Sequence, residues 1–150
     1  MCTIFTAFCA EKIESISEEI LISNDKTLLQ FDKIKKLHQK AYWAKNWDDE
    51  KIQKNIENST FVYGLYKNGL QAGFARVISD KSTFARILDE IVEESAWDCE
   101  SYKLLINAII QNEELKSCAI DMIVYPGTQE FHKNLSFANR IDTRYMYLYK

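Results

Sequence analysis

The stretch TFVYGLYKNGLQAGFARVISD, residues 60–80, decides the fold of this chain because it contains two β-rich runs joined by a tight turn. Asn68 and Gly69 lie between the runs, and an Asn-Gly pair supplies the positive φ angles that a two-residue hairpin turn requires. The sequence therefore predicts an antiparallel β-hairpin in the middle of the chain.

The segments before the hairpin predict one strand and two helices. Residues 19–23, EILIS, are typical of a short strand. Apolar residues at three- and four-residue spacing then predict an amphipathic helix that begins near Asp25 or Thr27. These apolar residues are Leu28, Phe31, Ile34, Leu37 and Ala41. Acids in the first turn of residues 47–59 indicate a second, shorter helix.

The segments after the hairpin predict alternating strands and helices. A third strand, FARILDEIV, occupies residues 84–92, and a helix follows with Leu104, Leu105, Ala108 and Ile109 on its inward face. The remaining predicted elements are a buried strand at 118–125, a turn at Pro126 and Gly127, a helix at 128–137 and a last strand at 144–150. The predicted order is β-α-α-β-β-β-α-β-α-β.

The composition favours one globular domain. The chain has 150 residues, 47% of them hydrophobic, and a domain of this size buries roughly 68–70% of its unfolded surface. The chain has 19 Lys and Arg and 22 Asp and Glu, which gives a net charge of -3. No block of like charge exceeds three residues. We therefore expect no nucleic-acid partner, and small molecules or proteins are the expected partners.

The cysteines and the apolar N-terminus indicate a cytoplasmic location. The four cysteines have no Cys-x-x-Cys spacing and do not cluster with His38 or His132, so neither a metal site nor a disulfide framework is predicted. The opening MCTIFTAFCA lacks the basic residues of a signal peptide. No apolar run approaches the ~20 residues of a membrane span, so we expect no membrane association.

Three stretches resemble the GNAT superfamily of N-acetyltransferases. They are AYWAKNW at 41–47, GLYKNGLQAGFARVISDKSTFARILDEIV at 64–92 and EFHKNLSF at 130–137. The resemblance covers residues 19–150 and leaves 1–18 as an N-terminal extension. It implies an α/β (α+β) fold with a mixed, mainly antiparallel sheet, splayed between its fourth and fifth strands and flanked by helices on both faces.

In that family, the joint after the fourth strand carries Arg/Gln-x-x-Gly-x-Gly/Ala, whose backbone amides bind the pyrophosphate of acetyl-CoA at a helix N-terminus. The resemblance places this cofactor-binding motif on residues 97–102 of the present chain. Trp97 stands at the cation or amide position, Glu100 and Tyr102 replace the glycines, and Ser101 lies between them. We expect these side chains to project into the space of the phosphates and hinder binding.

The acids at this joint have a second interpretation. Asp98 and Glu100 can stabilise a helix N-terminus themselves, with Ser95 or Asp98 as the N-cap. The joint is then a well-capped helix start, a description that is compatible with lost cofactor binding.

The resemblance implies candidates for proton transfer. The family commonly uses a tyrosine of the last helix as the acid that protonates the leaving thiolate, and His132 stands at that position. A histidine exposed on a polar helix face is the alternative. Asp89 matches the family pattern and is either a base or a charge partner for Arg76 or Arg86. Glu90 replaces an apolar residue, and only one of the two adjacent acids can face a given cleft.

The resemblance also implies residues that contact the cofactor and the acceptor. A backbone amide of Ile91 or Val92 would polarise the acetyl carbonyl. Tyr42, Trp43 and Arg76 resemble the lining of the substrate cleft, although an aromatic pair at a helix end is also typical of a core.

Two other features have structural explanations. We expect His38 to be a surface or boundary side chain of the first helix. Tyr145, Tyr147 and Tyr149 alternate in the last predicted strand, which leaves open a homodimer seam or packing against the last helix.

Two functional hypotheses follow from the resemblance. The first is a catalytically weak or silent relative of the acetyltransferases that acts as a binding or regulatory module. The second is an active N-acetyltransferase that acts on a small-molecule amine or a protein amine. Acetyl-CoA is the expected cofactor of an active enzyme, and a silent protein would have none.

Overall fold

The computed structural model describes residues 19–93 and 99–124 together with 132, 133, 135 and 137. The strands in these ranges are β1 (Ile20–Ser23), β2 (Phe61–Lys67), β3 (Leu70–Ser79), β4 (Phe84–Val92) and β5 (Ala119–Met122). The helices are α1 (Phe31–Lys40), α2 (Asp49–Asn58) and α3 (Cys99–Ile110), and Lys26–Leu28 and Glu113–Leu115 are short 3-10 helices. The predictions for 1–18, the turn at 126–127 and the last strand at 144–150 lie outside the described residues.

The described strands form one sheet in the order β1-β2-β3-β4-β5. The first four strands are antiparallel neighbours, and β5 runs parallel to β4. Asn68 and Gly69 have φ angles of 49° and 78° between β2 and β3, which are the left-handed conformations that the short hairpin turn requires. The predicted hairpin is therefore confirmed.

The sheet opens between β4 and β5. The paired positions run from Phe84 opposite Ala119 to Ile87 opposite Met122, so β5 covers only the first half of β4. This is the predicted splay between the fourth and fifth strands, and it leaves the segment from Leu88 onward without β5 beside it.

Helices cover both faces of the sheet, and each face has its own apolar core. The core on the α3 face contains Leu65, Ala75, Val77, Ile87, Val92, Tyr102, Leu105, Ile106 and Ile109. The core on the α1 face contains Ile34, Leu37, Ile52, Val62 and Phe74. Each of the larger apolar side chains contributes about 1.5–3 kcal/mol by its burial. The predicted α/β layers are confirmed.

The start of α1 differs from the prediction. The helix begins at Phe31 and not near Asp25 or Thr27. The Asp25 carboxylate accepts the backbone N–H of Thr27 at 2.8 Å and caps the separate short helix Lys26–Leu28. Because Gln30 is then extended, the chain turns before α1 starts and the helical pattern is interrupted.

The inward face of α3 was also predicted incompletely. Leu105 and Ile109 are buried as predicted, but Leu104 is 43% exposed. Tyr102 and Ile106 are buried instead, and their spacing with Leu105 and Ile109 is the regular stripe of a helix with one buried face.

The strand β5 is shorter and less buried than predicted. Ala119 is exposed and the next three residues are half-buried, because β5 is the last strand of the sheet among the described residues.

None of the helices in the described ranges has the length and apolar character that a bilayer crossing needs.

Candidate active site

The candidate site lies where β4 leaves β5, and its two acids face opposite sides of the sheet. Asp89 contacts Arg76 and His38 on the α1 face. Ile91 packs against the α1-face core and Val92 belongs to the α3-face core, so Glu90, which is adjacent to Ile91, faces the α3 side. The prediction that only one of the two acids faces a given cleft is therefore confirmed.

Asp89 is held as an ion-pair partner. Arg76 donates its Nε–H to Asp89 Oδ2 at 2.5 Å, and His38 Nε2 lies 3.8 Å from the same oxygen. Burial is the largest influence and raises the pKa of Asp89, but the polar contacts with His38 and Arg76 together bring it below its ordinary value. Asp89 is thus the predicted charge partner of Arg76, while Arg86 binds Asp121 at 2.7 and 2.8 Å.

His38 is part of this cluster, and the prediction of a surface position is wrong. Its side chain is buried with 1% exposure. The Nδ1–H donates to the Ile34 carbonyl at 2.9 Å, and the ring packs between Trp47 and Phe74 with centroids at 5.6 and 5.4 Å. The sequence contained the reason, since His38 lies four residues after Ile34 on the same apolar stripe.

Glu90 is the functional candidate that the sequence interpretation underrated. Burial raises its pKa to about 7, repulsion from Asp89 adds to the effect, and its own backbone N–H opposes it. A carboxyl group that titrates near neutral pH is suited to accept a proton as a general base. The available signal was an acid at a strand position where the family resemblance predicts an apolar residue.

Tyr102 and His132 form a buried pair beside Glu90. The phenol oxygen lies 3.0 Å from His132 Nε2, and the rings meet edge to face at 5.8 Å. Burial, followed by the negative charge of Glu90, raises the pKa of Tyr102 above its ordinary value, so its O–H stays protonated. Because the two residues are 3% and 8% exposed, the alternative of an exposed His132 is wrong.

In the first turn of α3, the side chains are arranged differently from the prediction that they project into the space of the phosphates. Ser101 and Tyr102 are buried, and the Tyr102 ring belongs to the α3-face core instead of projecting outward. Glu100 is exposed and accepts a hydrogen bond from Lys103 at 3.0 Å. The positive charge of Lys103 therefore offsets part of the expected negative charge, while Trp97 and Asp98 lie outside the described residues.

The two backbone amides predicted to polarise the acetyl carbonyl, those of Ile91 and Val92, point to opposite edges of β4. The Glu93 N–H donates to the Ala72 carbonyl of β3 at 2.8 Å. Backbone groups two residues apart along an antiparallel strand point the same way, so the Ile91 amide also faces β3. The Val92 amide points to the opposite side, where β5 no longer pairs with β4.

The residues predicted for the substrate cleft have different environments. Tyr42 and Trp43 follow α1 and form an edge-to-face pair at 5.2 Å. Tyr42 is 67% exposed, so the alternative of an aromatic core pair is wrong for this residue. The Arg76 side chain forms an ion pair with Asp89 on the α1 face.

In the described part of the chain, no group of three His, Cys, Asp or Glu side chains is placed to hold a metal ion.

This combination of a splayed mixed sheet and two helical layers is the fold of the GNAT acetyltransferases. A GNAT-family protein from Xanthomonas campestris pv. campestris superposes with a TM-score of 0.77 and 25% identity, over 87% of this chain and 94% of that one. A GNAT-family acetyltransferase from Streptococcus pneumoniae has a TM-score of 0.70 and 15% identity, over 89% and 98% of the two chains.

A third solved structure is an aminoglycoside N-acetyltransferase in complex with CoA. It has a TM-score of 0.64 and 16% identity, over 89% of this chain and 95% of that one. A scan of the sequence against protein-family models finds no match, and a search of curated proteins finds none either. The GNAT fold is thus shown by structural similarity.

Proposed function

We propose that this protein is an acetyl-CoA-dependent N-acetyltransferase with low catalytic power that acts on a small-molecule amine or a protein amine. The observation that supports the proposal is the environment of Glu90, whose carboxyl group has a pKa of about 7 at the opening between β4 and β5. Burying a carboxyl group without a cationic partner costs stability. A pKa that is raised in this way is typical of a catalytic acid or base.

The groups around Glu90 cover the proton transfers that acetylation of an amine requires. Glu90 accepts the proton of the attacking amine, which is cationic at neutral pH before it reacts. His132, whose Nε2 lies 3.0 Å from the Tyr102 oxygen, is the candidate acid that protonates the leaving thiolate. The Val92 N–H supplies the donor that stabilises charge on a carbonyl oxygen.

These residues fit the reactive end of acetyl-CoA. When bound, the coenzyme supplies a thioester carbonyl as the acetyl donor. Glu90 and Val92 both lie on the half of β4 that β5 does not cover. The Tyr102 side chain lies in the α3-face core. Lys103, whose side chain in the first turn of α3 is partly exposed, is the candidate to lie near the phosphates.

Weak coenzyme binding is part of the proposal. Glycines at a phosphate-binding helix start let the backbone approach the anion, and Glu100 and Tyr102 replace them here. The charge of Glu100 is only partly offset by Lys103, because both side chains reach solvent.

A catalytically silent binding or regulatory module is the second candidate. The replacements at Glu100 and Tyr102 favour it, since the larger Tyr102 side chain is built into the core and bonded to His132. In this case acetyl-CoA would not bind, or would bind without reacting.

Acetylation assays on matched variants test the proposal. The wild-type protein is incubated with millimolar acetyl-CoA and a panel of primary amines and lysine peptides, and acetylated product is measured by mass spectrometry. Glu90→Gln should lower the rate at least ~100-fold, the usual contribution of a general base. Glu93→Gln, on an exposed acid that binds Lys40, is the control and should keep the rate.

Thermal denaturation separates the two candidates. A ligand at a hundred times its Kd stabilises the folded state by ~2.7 kcal/mol, so acetyl-CoA should raise the Tm of the wild-type protein and of Glu90→Gln alike. No product and no rise in Tm would favour the silent module and reject the enzyme, and a rise in Tm without product would favour a coenzyme-binding regulator.

A further inference from the structure

The strand β4 contains one extra residue, which changes the side of the sheet that its second half faces. Ile87 and Val92 both belong to the α3-face core, although they are five residues apart. In a regular strand only residues an even number apart share a face. Leu88 lies opposite Arg76 and Ile91 lies opposite Phe74, so three steps along β4 match two steps along β3.

Asp89 carries the distortion of this bulge. It has a φ of 53° within a strand, a left-handed conformation that costs energy for a residue other than glycine. A strained residue of this kind persists only when its surroundings hold it. The position is therefore stabilised by contacts outside the local backbone.

Three side chains from different elements make these contacts, and we call Arg76, Asp89 and His38 the bulge anchor. Arg76 comes from β3 and donates to the Asp89 carboxylate. His38 comes from α1 and lies 3.8 Å from the same carboxylate. His38 is itself fixed by the Ile34 carbonyl and by two aromatic rings. The bulge anchor thus ties β3, β4 and α1 together at the extra residue.

The bulge decides which acid faces the candidate site. In a regular strand with all residues retained, Asp89 would share the face of Ile87, and Glu90 would point to the α1 face. With the bulge, Asp89 meets Arg76 on the α1 face and Glu90 lies toward Tyr102 on the α3 face.

We propose that Arg76 and His38 are positioning residues that hold the Asp89 bulge and thereby direct the Glu90 carboxyl toward Tyr102 and His132. The catalytic consequence of this positioning rests on the proposed acetyltransferase function, whereas the orientation of Glu90 does not depend on any activity. Among the described residues, Asp89 on β4 acts on Glu90 by repulsion, and Tyr102 on the α3 face is the phenol whose pKa the charge of Glu90 raises.

Substitutions of Asp89 test the inference by the titration of Glu90. The side-chain carboxyl carbon of Glu90 is followed by 13C NMR from pH 4 to 9, and acetylation of an amine is measured in parallel. Asp89→Asn is the conservative control, because asparagine tolerates positive φ and keeps an oxygen for Arg76. Glu90 should then titrate well above 4.5, slightly lower than in the wild type because the repulsion from Asp89 is lost.

Asp89→Val and deletion of Asp89 should have opposite results. Valine disfavours positive φ and has no group for Arg76, so the strand should become regular, Glu90 should titrate near its ordinary 4.5 and any transfer activity should fall ~100-fold. Deletion removes the extra residue itself, which leaves Glu90 on the α3 face of a regular strand. Glu90 should therefore keep its high titration in the deletion variant.

A folded Asp89→Val protein whose Glu90 still titrates near 7 would overturn the inference. If Asp89→Val does not fold, the deletion variant decides, and a folded deletion variant with Glu90 at 4.5 would overturn it. If the titrations follow the expected pattern but the wild-type protein transfers no acetyl group, the proposed function fails and the positioning role stands.

Discussion

On the α1 face of β4, Asp89 meets Arg76 and His38, and these contacts hold its pKa below the ordinary value. On the α3 face, burial raises the pKa of its neighbour Glu90 to about 7, and none of the described residues supplies a cation that lowers it. Both carboxyl groups have nearly equal intrinsic pKa values, and both are removed from water by burial. The difference lies in the charges that replace the water. One face is built for stability, and the other keeps a group that can exchange a proton near neutral pH.

The comparison also separates what holds the site from what reacts in it. The side chains of the bulge anchor are buried and joined by an ion pair, so they are suited to fix backbone geometry. The group of Glu90, Tyr102 and His132 lies at the opening of the sheet, where β5 no longer pairs with β4. A change on the first face should therefore reduce stability most, and a change on the second should alter pH dependence and chemistry most.

The largest expected effect is the loss of the cation on the α1 face. Arg76→Leu leaves the buried Asp89 carboxylate with only His38, and breaking a buried pair from one side costs about 3 kcal/mol or more. Arg86→Leu is the matched control, because its pair with Asp121 is partly exposed and should cost about 1 kcal/mol or less. Urea denaturation at pH 7 measures both values.

An equal loss in the two arginine variants would contradict the contrast between the faces. It would mean that the Asp89 carboxylate is compensated by water or by His38 alone.

The second effect is a pH dependence of opposite sign for the two acids. The folded pKa of Glu90, about 7, lies above its ordinary 4.5, so its contribution to stability is fully present below pH 4.5 and is lost as the pH rises through 7. Asp89 has a lowered pKa, so its contribution is present above its ordinary 3.8 and is lost as the pH falls below that value.

Glu90→Gln should remove the loss of stability between pH 4.5 and 7. The difference between the folded and ordinary pKa of Glu90 corresponds to roughly 3 kcal/mol of stability, at ~1.4 kcal/mol per pKa unit. The partial exposure of Glu90 reduces this to about 2 kcal/mol. Urea midpoints at a series of pH values measure it, with Glu93→Gln as the control. A wild-type slope that survives in Glu90→Gln would assign the titration to another group.

The parts of the fold that local sequence determines were predicted well. Asn68 and Gly69 specify their turn by backbone chemistry alone. The acids predicted for the first turn of α2 are Asp49 and Glu50. The start of α1 was missed because the Asp25 cap and the extended Gln30 break a periodic pattern that by itself continues.

The site was predicted only in part because it depends on contacts between distant residues. His38 and Asp89 are 51 positions apart in the sequence, and Tyr102 and His132 are 30 apart. The family resemblance identified Asp89 and His132 as candidates. It did not identify Glu90, because the face of Glu90 depends on a bulge that Arg76 and His38 stabilise from other elements.

The smallest expected effect is the loss of one hydroxyl on the α3 face. Tyr102→Phe keeps the edge-to-face packing with His132 but removes the 3.0 Å contact to its Nε2. A hydrogen bond of this kind contributes about 1 kcal/mol to stability. Tyr63→Phe, which removes the acceptor for Asn112 at 2.7 Å on the same face, is a control of equal chemistry away from Glu90, and urea denaturation should give both variants similar costs.

The two tyrosine variants should differ in the ring signals of His132. In a two-dimensional 1H–15N spectrum of the imidazole, Tyr102→Phe should shift the Nε2 resonance of His132, while Tyr63→Phe should leave it unchanged. This follows because the Tyr102 oxygen lies 3.0 Å from His132 Nε2, whereas the Tyr63 oxygen accepts from Asn112. If the Nε2 signal is the same in all three proteins, the Tyr102–His132 contact does not exist in solution, and His132 then has no link to the group that titrates near pH 7.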